Sequence, residues 1–123
     1  MAKKRLLLVD DEVELVEMIK FRLEASGYEV LTANDGQQAL ETARREKPDL
    51  IILDVMLPKM DGYKVCNLLK KDTRYANIPI MMFTAKAMDA DIKLGQEVSA
   101  DAYLTKPFEP KVLLEKIKEL VKE

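Results

Sequence analysis

Short apolar runs alternate along this chain with longer stretches in which apolar and charged positions interleave at helical spacing. Residues 6–9, LLLV, are apolar without a break, the pattern of a strand covered on both faces. Residues 11–25 carry Leu15, Ile19 and Leu23 four apart with charges between them, which predicts a helix stopped by Ser26-Gly27. Residues 28–32 alternate and predict a second strand at a sheet edge. Asn34-Asp35-Gly36 turns into a helix over 37–46, which Lys47-Pro48 ends.

The third strand is expected at 50–53, apolar throughout and so central. A loop with Pro58 and Gly62 follows over 55–62. A helix over 63–71 then places Val65, Leu68 and Leu69 on one side. Residues 80–83 predict the fourth strand, 88–98 a polar helix interrupted by Gly95, and 102–104 a short fifth strand. Glu109 caps the last helix with Pro110 at its first position, and Leu113, Ile117, Leu120 and Val121 form its buried stripe. Five βα units with apolar strands predict an α/β fold of three layers, a parallel sheet covered by helices on both faces. Right-handed crossovers limit its topology, and function in such sheets gathers at the carboxyl ends of the strands.

A length of 123 residues fits one domain over 1–123. With 48% hydrophobic and 34% charged residues the chain reads as globular, and a net charge of −2 gives no basic excess for nucleic acid or an anionic membrane. There is no histidine, which excludes histidine-based catalysis and zinc sites with histidine ligands. The single cysteine, Cys66, makes no internal disulfide, fits a reducing compartment and is expected to be buried and inert. The apolar run at 6–9 is too short for a secretory signal, and no stretch approaches the roughly 20 apolar residues of a membrane span. A cytoplasmic location is the expectation.

The polar residues at the strand ends carry the candidate chemistry. Asp10 and Asp11 follow the first strand, Asp54 the third, Thr84 the fourth and Lys106 the fifth. Parallel geometry places all five at one rim. Three carboxylates in one shallow site repel, which raises the pKa of at least one or calls for a divalent cation. Oxygen ligands favour Mg²⁺, Mn²⁺ or Ca²⁺ over zinc. An aspartate can also attack phosphorus to give an acyl phosphate, with a metal and the Lys106 ammonium on the phosphoryl oxygens and a hydrogen bond from Thr84. Taken singly, each residue has a plainer reading. Asp10-Asp11 could cap the following helix, Asp54 could be a turn residue, Lys106 a solvated lysine and Thr84 an ordinary strand residue. Met18, Met56, Met60, Met81, Met82 and Met88 read as core or gap-filling residues, not as metal ligands.

The strings LLLVDDE, PDLIILDVMLPKMDG, MMFTA and ADAYLTKPF, in this order and spacing, resemble the CheY-like receiver domains of two-component response regulators. The resemblance runs over nearly the whole chain. It implies a flavodoxin-like (βα)5 fold, doubly wound, with strand order 2-1-3-4-5. It implies a phosphoacceptor role for Asp54, and Mg²⁺, with Mn²⁺ as an alternative, on Asp10, Asp11, Asp54 and the backbone carbonyl of Met56. Lys106 corresponds to the family's lysine, followed by Pro107 in a cis peptide. Thr84 and Tyr103 correspond to the switch pair. The donor would be a histidine kinase or a histidine phosphotransfer protein. The face made by the fourth helix, fifth strand and fifth helix would meet a downstream partner or output domain. Such a domain catalyses its own phosphorylation and slow dephosphorylation but is not otherwise an enzyme. Met56 and Lys86, two positions beyond Asp54 and Thr84, would tune the lifetime of the acyl phosphate. One departure is Ser99, which stands where receivers usually carry glycine before the fifth strand.

Three other functions are weaker. An aspartate-nucleophile phosphohydrolase needs a second acid two residues after the nucleophile, where this chain has Met56. A nucleotide- or flavin-binding module needs a phosphate loop rich in glycine or hydroxyls after the first strand, where this chain has Asp10-Asp11-Glu12. A purely structural adaptor that keeps the fold without the chemistry survives only if the site is broken, and all five key residues are present.

Overall fold

The computed structural model describes residues 3–85 and 100–121. Five strands, β1 (Arg5–Val9), β2 (Glu29–Ala33), β3 (Leu50–Asp54), β4 (Ile80–Ala85) and β5 (Ala102–Lys106), form one sheet in the order β2-β1-β3-β4-β5. All four neighbouring pairs are parallel. The described helices are α1 (Val13–Ala25), α2 (Gly36–Glu46), α3 (Gly62–Lys70) and α4 (Pro110–Val121). The expected helix over 88–98, with Met88 and Gly95, lies outside the described residues, as do Lys86 and Ser99. The flavodoxin-like α/β architecture and the 2-1-3-4-5 order agree with the expectation, and β2 is an edge strand.

Unbroken apolar strands are needed because the sheet has a core on each side. Leu7, Val9, Ile51, Leu53, Ile80 and Met82 pack with Ala39, Leu40 and Ala43 of α2 and with Val65, Cys66 and Leu69 of α3. The alternate residues Leu6, Leu8, Leu50, Ile52, Met81 and Phe83 pack with Ile19 and Leu23 of α1 and with Leu113, Ile117 and Val121 of α4. Each fully buried Leu or Ile among them stabilises the fold by about 1.5–3 kcal/mol relative to exposure. The methionines divide. Met81 and Met82 are buried, but Met18 and Met56 are 51% and 64% exposed, so neither is the core residue expected. Among the described residues no helix is long and apolar enough to cross a membrane.

Helix ends follow local chemistry. Gly27, at φ +97°, closes α1 with hydrogen bonds from Tyr28 N–H to the Leu23 carbonyl (3.1 Å) and from its own N–H to the Glu24 carbonyl (3.0 Å). This is the pattern of a glycine-terminated helix. Asp35 and Asp61 cap α2 and α3 by accepting the N–H of Gln38 and Lys64. Lys47 ends α2 in the left-handed region, just before Pro48. The 72–79 connection, silent in the sequence pattern, is tied by Lys70. Its Nζ donates to the carbonyls of Ala76 and Ile78 and pairs with Asp101 at 2.7 Å.

Candidate functional site

Sheet register brings the site together. Val9 pairs with Leu53, so Asp10 and Asp54 emerge side by side from neighbouring strands. Asp54 pairs with Phe83, the residue before Thr84, and on the next strand Thr84 and Ala85 pair with Thr105 and Lys106. One carboxylate oxygen from each of Asp10, Asp11 and Asp54 lies within 4.8 Å of the other two. Asp10 and Asp54 are buried and Asp11 is exposed, so the cluster opens to solvent on one side. Lys106 Nζ donates to Asp10 Oδ2 at 2.9 Å and lies 3.5 Å from Asp54 Oδ2. The Lys106–Pro107 peptide is cis.

The plainer readings separate here. Asp10 Oδ1 accepts the N–H of Glu12 at 3.0 Å, and Glu12, not Asp10 or Asp11, is the N-cap of α1. A capping side chain would reach the second or third N–H of the helix, so capping does not account for the acid pair. Asp54 Oδ1 accepts the Met56 N–H at 3.2 Å, so it is a turn residue and a cluster member together. Lys106 is held by carboxylates and is not a solvated lysine. Thr84 is a buried strand residue. Its Oγ1, and the buried Oη of Tyr103, have no hydrogen-bond partner among the described residues. Met56 projects outward and lines a surface pocket with Asp11, Val55, Leu57, Pro58 and Asp61.

The charges do not balance. Burial, and then the charge of Asp10, push the Asp54 carboxyl up to about 6, against the pull of Lys106 and the Met56 N–H. Burial disfavours the Lys106 ammonium, but the hydrogen bond to Asp10 and the charges of Asp54, Asp10 and Glu12 together hold its pKa above the usual lysine value. Burial pushes the Tyr103 phenol up as well. Among the described residues one ammonium, that of Lys106, faces the three clustered carboxylates, and Glu12 Oε1 lies 3.7 Å from its Nζ. An all-oxygen, net-negative cluster open on one side suits a hard divalent cation that keeps several waters.

Two parts of this arrangement lie outside the residues that the sequence motifs single out. Glu12 joins the Lys106 contacts, which the motif alone did not suggest. Gly62 is a close-approach position. A Cβ there would stand 2.3 Å from the main-chain oxygen of Asp54, and the Gly62 N–H donates to the Val55 carbonyl at 2.9 Å. A glycine opening the helix that follows the loop after the strand-end Asp54 was the available signal.

Comparison with known proteins agrees with this geometry. Residues 6–118 match the family described as the response regulator receiver domain. The chain is 48% identical over 119 residues to the alkaline phosphatase synthesis transcriptional regulatory protein PhoP of Bacillus subtilis, covering 97% of this chain and 49% of that one. It thus spans about half the length of the curated relatives it matches. A response regulator structure from Chloroflexus aurantiacus superposes with a TM-score of 0.94 at 36% identity, covering 99% of this chain and 100% of the other. The receiver domain of a sensor histidine kinase of Pseudomonas aeruginosa superposes with a TM-score of 0.91 at 30% identity, covering 99% and 100%. That structure holds a magnesium ion in its active site cleft. With fold, strand-end cluster and sequence in agreement, this chain belongs to the response regulator receiver domain family.

Proposed function

We propose that this domain is a phosphoacceptor switch of a two-component phosphorelay, with Asp54 as the acceptor. A phosphohistidine on a histidine kinase or a histidine phosphotransfer protein is the donor. Its N–P bond breaks with the electron pair returning to the imidazole, while an Asp54 Oδ–P bond forms. Water later takes the phosphoryl group and restores the carboxylate. Both steps are self-catalysed, and no other substrate is turned over. The observation that carries this reading is the buried Asp54 carboxylate sharing a 4.8 Å cluster with Asp10 and Asp11, with Lys106 Nζ at 3.5 Å.

Asp10, Asp11, Asp54 and the Met56 carbonyl are the proposed holders of Mg²⁺, or Mn²⁺ in its place. The bound ion supplies charge neutralisation on the transferring phosphoryl group. Lys106 contributes a point charge to the same oxygens. Thr84 offers its hydroxyl, which has no partner among the described residues, as a hydrogen-bond donor to the acyl phosphate, and Tyr103 is the second member of the switch. A buried hydroxyl left without a partner costs about 1–3 kcal/mol. Two such groups on neighbouring strands, Thr84 on β4 and Tyr103 on β5, both without a partner among the described residues, support a second conformation in which they are satisfied. Phosphorylation then shifts the population toward that conformation. The face that changes comprises β5, α4 and the 88–98 segment outside the described residues. It would meet a protein partner or an output domain, and the setting proposed is the cytoplasm.

The test is labelling with a small acyl phosphate, with and without Mg²⁺. The parent is expected to take up one phosphoryl group per chain only with the metal, and Asp54→Asn none. Equal labelling of the variant would show the acceptor to be misassigned.

A further inference from the structure

We propose that the N-terminus of α2, through Gly36 and Asp35, is a positioning element for the Asp54 site, acting on the 55–61 loop. The inference deepens the phosphoacceptor reading and rests on it for the metal, but its geometry stands apart.

The loop is pinned at both ends. At its start, the Met56 N–H donates to Asp54 Oδ1 at 3.2 Å. At its end, Gly62 lies against the Asp54 main-chain oxygen and donates to the Val55 carbonyl. Between these points the loop reverses at Lys59, where φ is +67° and the Met60 N–H donates to the Pro58 carbonyl at 2.7 Å. A hydrogen bond between residues two apart around a positive φ is a rare, tight turn.

The outer side of that turn is held by α2. The Gly36 N–H donates to the same Pro58 carbonyl at 3.3 Å. A Cβ on Gly36 would stand 1.9 Å from the Met60 main-chain oxygen and 2.7 Å from its carbonyl carbon. No side-chain rotation relieves a clash with main chain, so any larger residue must push the turn away. Asp35 adds a second tie. Its Oδ1 caps α2 through Gln38 N–H at 2.7 Å, and its Oδ2 lies 3.6 Å from Lys59 Nζ. The ion pair is largely exposed on the lysine side and contributes little by itself, so the Gly36 contact bears most of the restraint. With so few residues between the pins, a displacement at Met60 carries to Met56 and to the carboxylate it bonds. Gly36 is thus a positioning residue for the metal-binding cluster.

The test combines Mg²⁺ titration by calorimetry with amide hydrogen exchange on the full chain, well below the melting temperature. Gly36→Ala is expected to weaken Mg²⁺ binding by about 10-fold or more, the scale of lost support around metal ligands. Its Met56 amide should also exchange about 10-fold faster than in the parent. Gly27→Ala is the control. Gly27 has φ +97° and open space around it, so alanine there strains the end of α1 and lowers stability without altering Mg²⁺ affinity. If Gly36→Ala does not fold, Asp35→Ala decides. It removes the α2 cap together with the Lys59 pair, loosens the helix end that holds Gly36 against the turn, and should weaken Mg²⁺ binding several-fold and speed exchange of the Met56 amide. Mg²⁺ affinity equal to the parent's in the folded variant, or an unchanged Met56 amide, overturns the positioning role. A parent that fails to bind Mg²⁺ defeats the phosphoacceptor reading instead, and the Met56 amide then judges Gly36 alone.

Discussion

Lys106 Nζ lies closer to Asp10 than to Asp54, at 2.9 Å against 3.5 Å. The ammonium therefore holds the Asp10 carboxylate, one of the proposed cation holders, and would compete with a divalent cation for it. Lys106→Ala should bind Mg²⁺ several-fold more tightly than the parent in a calorimetric titration, yet accept phosphoryl groups more slowly. Without metal the variant leaves carboxylates uncompensated, at a cost of about 1–3 kcal/mol in thermal or denaturant unfolding. Weaker Mg²⁺ binding would mean that the lysine supports the cation site and does not oppose it.

The Asp54 carboxyl, pushed from 3.8 to about 6 by burial and by Asp10, binds its proton more tightly in the folded chain than in the unfolded one. Its contribution to stability is full below about pH 4 and is lost as pH rises through about 6. Asp54→Asn removes this titration. In metal-free melts the two proteins should match near pH 4. The variant should then melt higher by about 4 °C or more near pH 7, equivalent to about 1 kcal/mol. A gap that does not change with pH would show that Asp54 is ionised without penalty.

Thr84 Oγ1 is buried without a partner among the described residues, so exchanging the hydroxyl for a methyl removes a cost. Thr84→Val should be as stable as the parent or more stable by up to about 1 kcal/mol, and should still accept phosphoryl groups. Its chemical-shift changes on phosphorylation should stay near Asp54 and fail to reach Tyr103. Changes as extensive as the parent's would remove Thr84 from the switch.

Gly62 packs so tightly on β3 that the site and the fold share one contact. Gly62→Ala must displace either α3 or the Asp54 main chain. It should cost about 2–4 kcal/mol in denaturant unfolding, and labelling by a small phosphodonor should fall even where the chain is folded. A variant with parental stability and labelling would show that the approach is easily relieved.

Much of this was legible in the chain because a parallel sheet writes its two cores into unbroken strands such as LLLV and LIIL. Its rim then follows from whatever polar residue comes next. The order of those strands came from resemblance, since periodicity carries no neighbour information. Boundaries shifted where pairing or hydrogen bonds overrode local pattern. The Asp10 carboxylate takes the Glu12 N–H and delays α1 to Val13, while pairing with β5 extends β4 to Ala85. Met18 and Met56 were misread because an apolar residue at a surface position leaves no trace in composition. The Lys106–Asp10 bond, the Lys70–Asp101 tie and the Gly36–Met60 contact join residues far apart in sequence and follow no period, so only coordinates reveal them.

A phosphoryl group on Asp54 would be an acyl phosphate, which hydride can reduce. Reducing the phosphorylated chain with borohydride converts an acyl-phosphate aspartate to homoserine, and peptide mapping then locates it. Homoserine is expected at position 54 alone, formed only when Mg²⁺ was present during labelling. Homoserine at position 10 or 11, or an intact Asp54 in a fully labelled chain, would contradict it.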